Sequence, residues 1–169
     1  MAEIIKVCKE YQPALRFIGK RYTSADAADG GYGHKWGEWF QNDWFAPLEK
    51  LGEVKEIENG YIGFMRECSG MEYWIGMFLP SSTQAPEGYD FIDLDACNIG
   101  VCWIKAPEED RSIFTMHNEC IQKLKDNGMG EQLVEDSDKF FCFERYNCPR
   151  FTDKDKQGNI ILDYGVYLA

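Results

Sequence analysis

The first half of the chain combines strand-like segments with one helical segment rich in aromatic residues. β-Branched and aromatic residues predict strands over residues 14–23, 60–67 and 71–79. Within residues 34–52 the apolar side chains recur near helical spacing, which predicts a helix that ends at Gly52. Pro47 lies inside that segment and is expected to kink or split the helix.

The second half of the chain follows the same order of elements. Residues 80–88 have the composition of a linker. Strand-like segments follow at 89–95, 98–106, 140–147 and 158–169. The clearest helix of the chain is predicted within residues 106–128, where Pro107 and three acidic residues suit the positive end of the helix dipole. Gly128 is expected to end it.

Short matches between the two halves indicate an internal duplication. LEKLG (48–52) aligns with LKDNG (124–128), YIGFMR aligns with FFCFER, and WIGMFL aligns with DYGVYL. Three matches in the same order favour a repeat over coincidence. We therefore predict one domain over residues 1–169, with a first repeat at about 8–79, a linker at 80–88 and a second repeat at about 89–169.

The predicted strand FFCFERYN contains a carboxylate among aromatic residues. Alternation places Phe140, Cys142, Glu144 and Tyr146 on one side, and both sides are apolar enough to be covered. A buried carboxylate without a partner is costly. Aligning the two repeats sets Met65 opposite Glu144, so the fold itself requires no acid there. A ligand site is one explanation; an ion pair with a nearby Lys or Arg, or solvent at a sheet edge, is the other.

Charge and composition narrow the classes of function. The 169 residues include 18 Lys and Arg against 29 Asp and Glu, which gives a net charge of −11. This argues against direct nucleic-acid binding, because phosphate contacts need clustered basic residues. No apolar stretch approaches the roughly 20 residues that cross a bilayer, so no membrane contact is expected.

The seven cysteines show neither paired nor zinc-finger spacing. Scattered cysteines without a signal peptide are typical of a reduced, cytoplasmic protein. The sequence also contains no cofactor motif. We expect neither a metal nor a cofactor.

Four motifs in order carry a resemblance to a known family. RFIGKRYT, EYWIGMFL, FERY and GNIILDY are similar to segments of the GyrI-like family, the AraC-type effector-binding or multidrug-binding domain, over residues 8–169. The resemblance implies an α+β fold of two pseudo-symmetric halves, each an antiparallel sheet with a helix, that enclose an aromatic cleft. In such a cleft Glu144 would be the acid that meets flat or cationic hydrophobic molecules, and Asp163 a second acid on the last strand.

Several aromatic residues are candidates for the lining of this cleft. They are Tyr73, Trp103, Tyr146, Tyr164, Trp39 and Phe40. Trp103 either lines the cleft or packs against the second helix. The aromatic stripe that contains Trp39 and Phe40 is more typical of a core than of a binding surface, although one or two of its residues at the start of the helix could wall the cleft. His117, beside the apolar stripe of the second helix, is expected to be structural or exposed.

Three functions are compatible with the sequence. Nearly every segment belongs to one of the two halves, so no helix-turn-helix motif can be fitted. The first function is that of a stand-alone domain that binds hydrophobic or cationic small molecules for sensing or sequestration. The second, which the resemblance implies because some similar proteins are such enzymes, is a hydrolase that opens cyclopropane-bearing genotoxic compounds, with Glu144 as general base and Tyr146 or Tyr164 polarising the electrophile. The third is an interaction protein with a regulator or gyrase as its partner, as the resemblance implies.

Overall fold

The strand-forming segments build one antiparallel sheet. A computed structural model of the chain describes residues 1–58, 60–134 and 140–169. Its strands are β1 (Glu3–Gln12), β2 (Leu15–Thr23), β3 (Gly60–Glu67), β4 (Met71–Pro80), β5 (Asp90–Leu94), β6 (Cys97–Pro107), β7 (Phe141–Asn147) and β8 (Asn159–Tyr167). The sequence pattern predicted all of these except β1. That strand lies at an edge, half of its residues are charged or amide residues, and its register is irregular near Ile4, so its alternation is weak.

Short helices accompany the strands. They are α1 (Gly33–Gln41), α2 (Ala46–Glu49) and α3 (His117–Leu124), with 3-10 turns at Ser24–Asp26, Arg111–Thr115 and Gly130–Gln132 and a wider turn at Lys125–Met129. The segment around Pro47 is split as predicted, with Pro47 in the first turn of α2. The helix predicted within residues 106–128 is shorter, because Ala106 and Pro107 pair with β8 as strand residues. The wider turn that follows α3 loses its helical conformation at Gly128, which has a positive φ of 83°.

The order of strands is β1-β6-β8-β7-β3-β4-β2-β5. Exchanging β1 to β4 with β5 to β8 gives the same order in reverse, which confirms two pseudo-symmetric halves in an α+β fold. Phe64 of β3 pairs with Phe143 of β7 at the centre, the same two residues that the sequence repeat aligns. The halves are interlocked, because β1 pairs with β6 and β5 pairs with β2. The limits of the repeats in the sequence stay a prediction.

The helices lie on one face of this sheet, over its flanks. α1 and α2 pack on β2 and β4 through Trp39, Leu48 and Ile75. α3 packs on β6 and β8 through Cys120 and Leu124. The opposite face is filled by its own aromatic core, which includes Phe17, Phe64, Trp74, Phe78 and Phe143. The helices leave the central strands β3 and β7 uncovered, which opens a cleft between the halves.

Across the described ranges, no helix has the length and apolar character that crossing a membrane requires.

Candidate ligand-binding site

A cleft of about 1880 Å³ lies over the central strands, between α1 and α3. Aromatic side chains from both halves line it, among them Tyr32, Trp36 and Phe40 from the first half and Phe114, Phe140 and Phe151 from the second. Tyr32 stacks in parallel on Tyr73 at a ring distance of 4.4 Å. Trp36 meets Tyr146 edge-on at 4.6 Å. Such aromatic walls suit flat apolar molecules and attract cations.

Glu144 lies on the floor of the cleft. The predicted alternation of β7 is confirmed, since Cys142, Glu144 and Tyr146 all face the cleft. The carboxylate is 8% exposed and accepts a hydrogen bond from the Tyr73 hydroxyl at 2.9 Å. Trp36 in turn donates its indole N–H to the Tyr73 oxygen at 2.9 Å. Among the described residues, no Lys or Arg forms an ion pair with Glu144.

Burial therefore dominates the acidity of this group. It raises the pKa of Glu144 from 4.5 to about 7, and the hydrogen bonds from Tyr73 and Tyr146 offset only part of the shift. The hydroxyls remain protonated, because burial and the nearby carboxylate raise the pKa of both tyrosines well above its ordinary value. At neutral pH the cleft thus holds a carboxyl group between its neutral and charged forms, and a cationic neighbour would favour the charged one.

The raised pKa predicts a pH-dependent difference in stability between the wild type and Glu144→Gln. The folded protein binds the Glu144 proton more tightly than the unfolded chain, so its stabilising contribution is complete below pH 4.5 and is lost as pH rises to about 7. We expect the Gln variant to gain up to about 3 kcal/mol relative to wild type between pH 4.5 and 8. Urea denaturation at several pH values measures this difference in the free energy of unfolding. A difference that does not change with pH would contradict a Glu144 carboxyl group that is buried without an ion pair.

Gly63 makes room for the hydrogen bond between Tyr73 and Glu144. Gly63 pairs with Glu144 across β3 and β7. A Cβ atom at this position would lie 2.4 Å from the Tyr73 hydroxyl and 3.0 Å from Oε1 of Glu144. Neither atom can retreat freely, since both are held in the buried network. Glycine is therefore required by side-chain space here, and not by backbone conformation.

We expect Gly63→Ala to separate Tyr73 from Glu144 and to destabilise the fold by roughly 1–3 kcal/mol. Loss of the Tyr73 hydrogen bond should raise the pKa of Glu144 further, which ¹³C NMR titration of the carboxyl group measures. Gly37→Ala in α1 is the matched control, because nothing lies within 4 Å of its added Cβ. That variant should keep or raise stability. An unchanged Glu144 titration in Gly63→Ala would refute the predicted role.

A second polar group lies on the α3 side of the cleft. The Nδ1 atom of His117 lies 2.5 Å from the hydroxyl of Tyr164, which is also 3.3 Å from the sulfur of Cys142. Phe140 packs edge-on against the imidazole. Burial lowers the pKa of His117, so the ring is neutral at neutral pH. Sequence reasoning missed His117 as a cleft residue, and only its place at the start of a helix facing the final strand could have indicated it.

The structure places the predicted site residues in two groups. Tyr73, Glu144, Tyr146, Tyr164 and Phe40 line the cleft. Trp39, Trp103 and Asp163 do not: Trp39 is fully buried in the core, where its indole N–H donates to the Tyr22 hydroxyl at 3.0 Å.

Asp163 and Trp103 lie on the opposite face of the sheet. Glu144 pairs with Tyr164 across β7 and β8, so Asp163, one residue earlier, faces away from the cleft. There its carboxylate accepts hydrogen bonds from Arg145 at 2.8 Å and from Arg150 at 3.1 Å. Trp103 has Arg150 over its ring at 4.0 Å. These contacts explain both residues by packing and ion pairing.

No protein-family model and no curated protein matches this chain. Solved structures do. SAV2435 bound to tetraphenylphosphonium superimposes with a TM-score of 0.69 at 16% identity, over 98% of this chain and 94% of that one. A Staphylococcus aureus protein described as a putative bacterial transcription regulation protein gives 0.63 at 16% identity, over 97% and 98%. A hydrolase encoded by lin2189 from Listeria innocua gives 0.52 at 10% identity, over 97% and 92%. At these identities the likeness shows a shared fold.

Proposed function

We propose that this chain is a binding protein for hydrophobic, planar or cationic small molecules, of the GyrI-like effector-binding type, that serves in sensing or sequestration. One observation carries the proposal: Glu144 is buried at the floor of an aromatic cleft, and its described hydrogen-bond partners are tyrosine hydroxyls rather than a cationic side chain. The likeness in fold to SAV2435 bound to tetraphenylphosphonium supports it.

The charge of Glu144 favours a cationic ligand. An ionised carboxylate in an apolar environment is unfavourable unless an opposite charge compensates it. A ligand cation supplies that charge, and aromatic rings around it add about 0.5–2 kcal/mol per contact. Stacking surfaces have little shape preference beyond flatness, so recognition of this kind is broad. The net charge of −11 also raises the local concentration of cations near the protein.

Two probes of the same shape and opposite charge test this proposal. We expect tetraphenylphosphonium to quench tryptophan fluorescence saturably, because Trp36 lines the cleft. Tetraphenylborate has nearly the same size and apolar surface but a negative charge, and we expect it to bind at least tenfold more weakly. Equal affinity for the two ions would refute selection by Glu144. No binding of either would refute the proposed function.

A hydrolase is the second candidate, and two observations favour it. The structure of the lin2189 hydrolase shares the fold, and a carboxyl group with a pKa of about 7 suits a general base at neutral pH. With a cyclopropane conjugated to a carbonyl group, Glu144 would take a proton from water as the water oxygen bonds to a ring carbon. The ring carbon–carbon bond would break toward the carbonyl, whose oxygen would receive a hydrogen bond from Tyr146, and the resulting enolate would take up the proton held by Glu144 at carbon.

Mass spectrometry distinguishes the two candidates. A cyclopropane-bearing alkylator is incubated with substoichiometric protein, and the mass of a water adduct is followed over time. Several turnovers per protein molecule, lost in Glu144→Gln, would establish the hydrolase. Saturable binding without a water adduct would leave the binding function.

A further inference from the structure

The two ends of the cleft differ in the polar groups that they present. On the α1 side the lining includes three acids, Asp29, Glu49 and Glu53, together with His34. On the α3 side the lining includes Arg111 and His117, and Arg66 and Glu67 line the cleft at the end of β3. The nitrogen donors Arg111 and His117 therefore lie away from the three acids near α1 and α2, with Glu144 on the floor between them.

The hydrogen bond between His117 and Tyr164 determines which nitrogen of the neutral His117 ring carries the proton. The phenol of Tyr164 has one proton, and an imidazole nitrogen 2.5 Å away is a much stronger acceptor than a thiol sulfur at 3.3 Å. With the Tyr164 proton on the stronger acceptor, Nδ1, the Cys142 thiol donates its S–H to the Tyr164 oxygen across the 3.3 Å contact, and the neutral imidazole carries its proton on Nε2. In the described part of the chain Nδ1 is the only nitrogen of this ring with a hydrogen bond. Nε2–H is left as a donor for a molecule in the cleft.

The neighbours of His117 hold its Nε2–H donor in place and shield it partly from solvent. Phe140 contacts the imidazole edge-on at 5.7 Å, and His117 is half-buried. Arg111 lies over the ring of Phe114 at 5.1 Å and lines the same end of the cleft. A hydrogen-bond acceptor here would meet one neutral and one charged donor.

We propose that His117 and Arg111 form an acceptor-binding subsite, so that the preferred ligands are bifunctional: a cationic group for Glu144 and, at the other end, a carbonyl or similar acceptor for His117. Tyr164 is a positioning residue, since it acts through the tautomer of His117. This inference rests on the proposed binding function and narrows its ligand class.

The test compares three cations by isothermal titration calorimetry. They are N-methyl-4-phenylpyridinium and its derivatives with an acetyl group at the meta or the para position of the phenyl ring. All have the same cationic head, and only the derivatives carry a carbonyl. We expect at least one acetyl compound to bind wild-type protein about fivefold more tightly than the parent, as one net hydrogen bond provides.

Two substitutions assign that preference to His117. His117→Phe keeps an aromatic ring but removes the donor, and should abolish the preference, which is measured as the ratio of acetyl to parent affinity within that variant. His117→Gln keeps an N–H donor at a similar distance from the backbone and should retain part of the preference. Thermal melting of each variant checks that it is folded; if His117→Phe unfolds, the Gln variant and Tyr164→Phe supply the comparison, with a reduced preference expected for Tyr164→Phe.

The outcomes separate this subsite from the site as a whole. Equal binding of parent and acetyl compounds to wild type, or a loss of affinity in His117→Phe that is the same for all three, would overturn the subsite and leave cation binding at Glu144 intact. If no compound binds wild type, both the subsite and the proposed function are overturned.

Discussion

Glu144→Gln is expected to weaken the binding of tetraphenylphosphonium by about 30-fold or more, the effect of removing one partner from a buried charge pair. Glutamine keeps the length of the side chain, and its oxygen can still accept the hydrogen bond from Tyr73. The aromatic walls stay in place. The substitution thus removes the charge with little change of shape, and the lost affinity measures the attraction between carboxylate and cation.

The affinities of wild type and Glu144→Gln for tetraphenylphosphonium should also differ in their pH dependence. A cation favours the ionised carboxyl group, whose pKa in the empty cleft is about 7. Below that pH, binding must displace a proton, so wild-type affinity should fall about tenfold per pH unit, and above about pH 8 it should level off. Glutamine cannot titrate, so the variant lacks this contribution. Calorimetry in buffers with different ionisation enthalpies counts the protons released.

Glu49 provides the control for these measurements. It also lines the cleft but is exposed, and it accepts a hydrogen bond from Tyr61 at 2.5 Å. Glu49→Gln should change affinity less than about threefold, because solvent screens an exposed charge. A loss in Glu49→Gln as large as in Glu144→Gln would mean that general negative charge, and not the buried carboxylate, attracts the cation.

Asp163→Asn is expected to destabilise the protein by about 3 kcal/mol or more and to leave ligand binding of the folded protein unchanged. Asp163 is fully buried and pairs with Arg145, which is only 1% exposed. An amide cannot compensate the buried guanidinium, and Glu10 and Glu58 contact Arg145 at longer distances of 3.2 and 3.3 Å. We expect the melting temperature to fall by roughly 6–12 °C.

An exposed ion pair is the control for Asp163. Asp93 pairs with Arg16 at 2.7 Å with 61% of its side chain exposed, and Asp93→Asn should leave the melting temperature nearly unchanged because solvent screens the pair. Tetraphenylphosphonium affinity is measured for both variants at a temperature where each is folded. Lost affinity with unchanged stability in Asp163→Asn would instead make Asp163 the second acid of the site that the family resemblance implies.

The local sequence predicted much of the fold and the centre of the site. Alternation within one strand is a short-range property, so the sequence correctly assigned Cys142, Glu144 and Tyr146 to one face. The matches between halves predicted the central pairing of Phe64 with Phe143 only indirectly, through a repeat whose axis lies there. The side chains that contact Glu144 could not be predicted from local sequence. Tyr73 is 71 positions away, and no local pattern indicated that its hydroxyl would reach Glu144 or that Gly63 would have to leave the space.

What the sequence by itself determined was the existence of every described strand except β1, the duplicated α+β plan and the solitary acid in an aromatic row. The tertiary structure alone decided which polar residues share the cleft. Across the long connection between β7 and β8, a shift of one residue in register would exchange Tyr164 for Asp163. The register is set by long-range pairing and by the burial of Asp163 against Arg145, and neither is encoded in any short stretch of the chain.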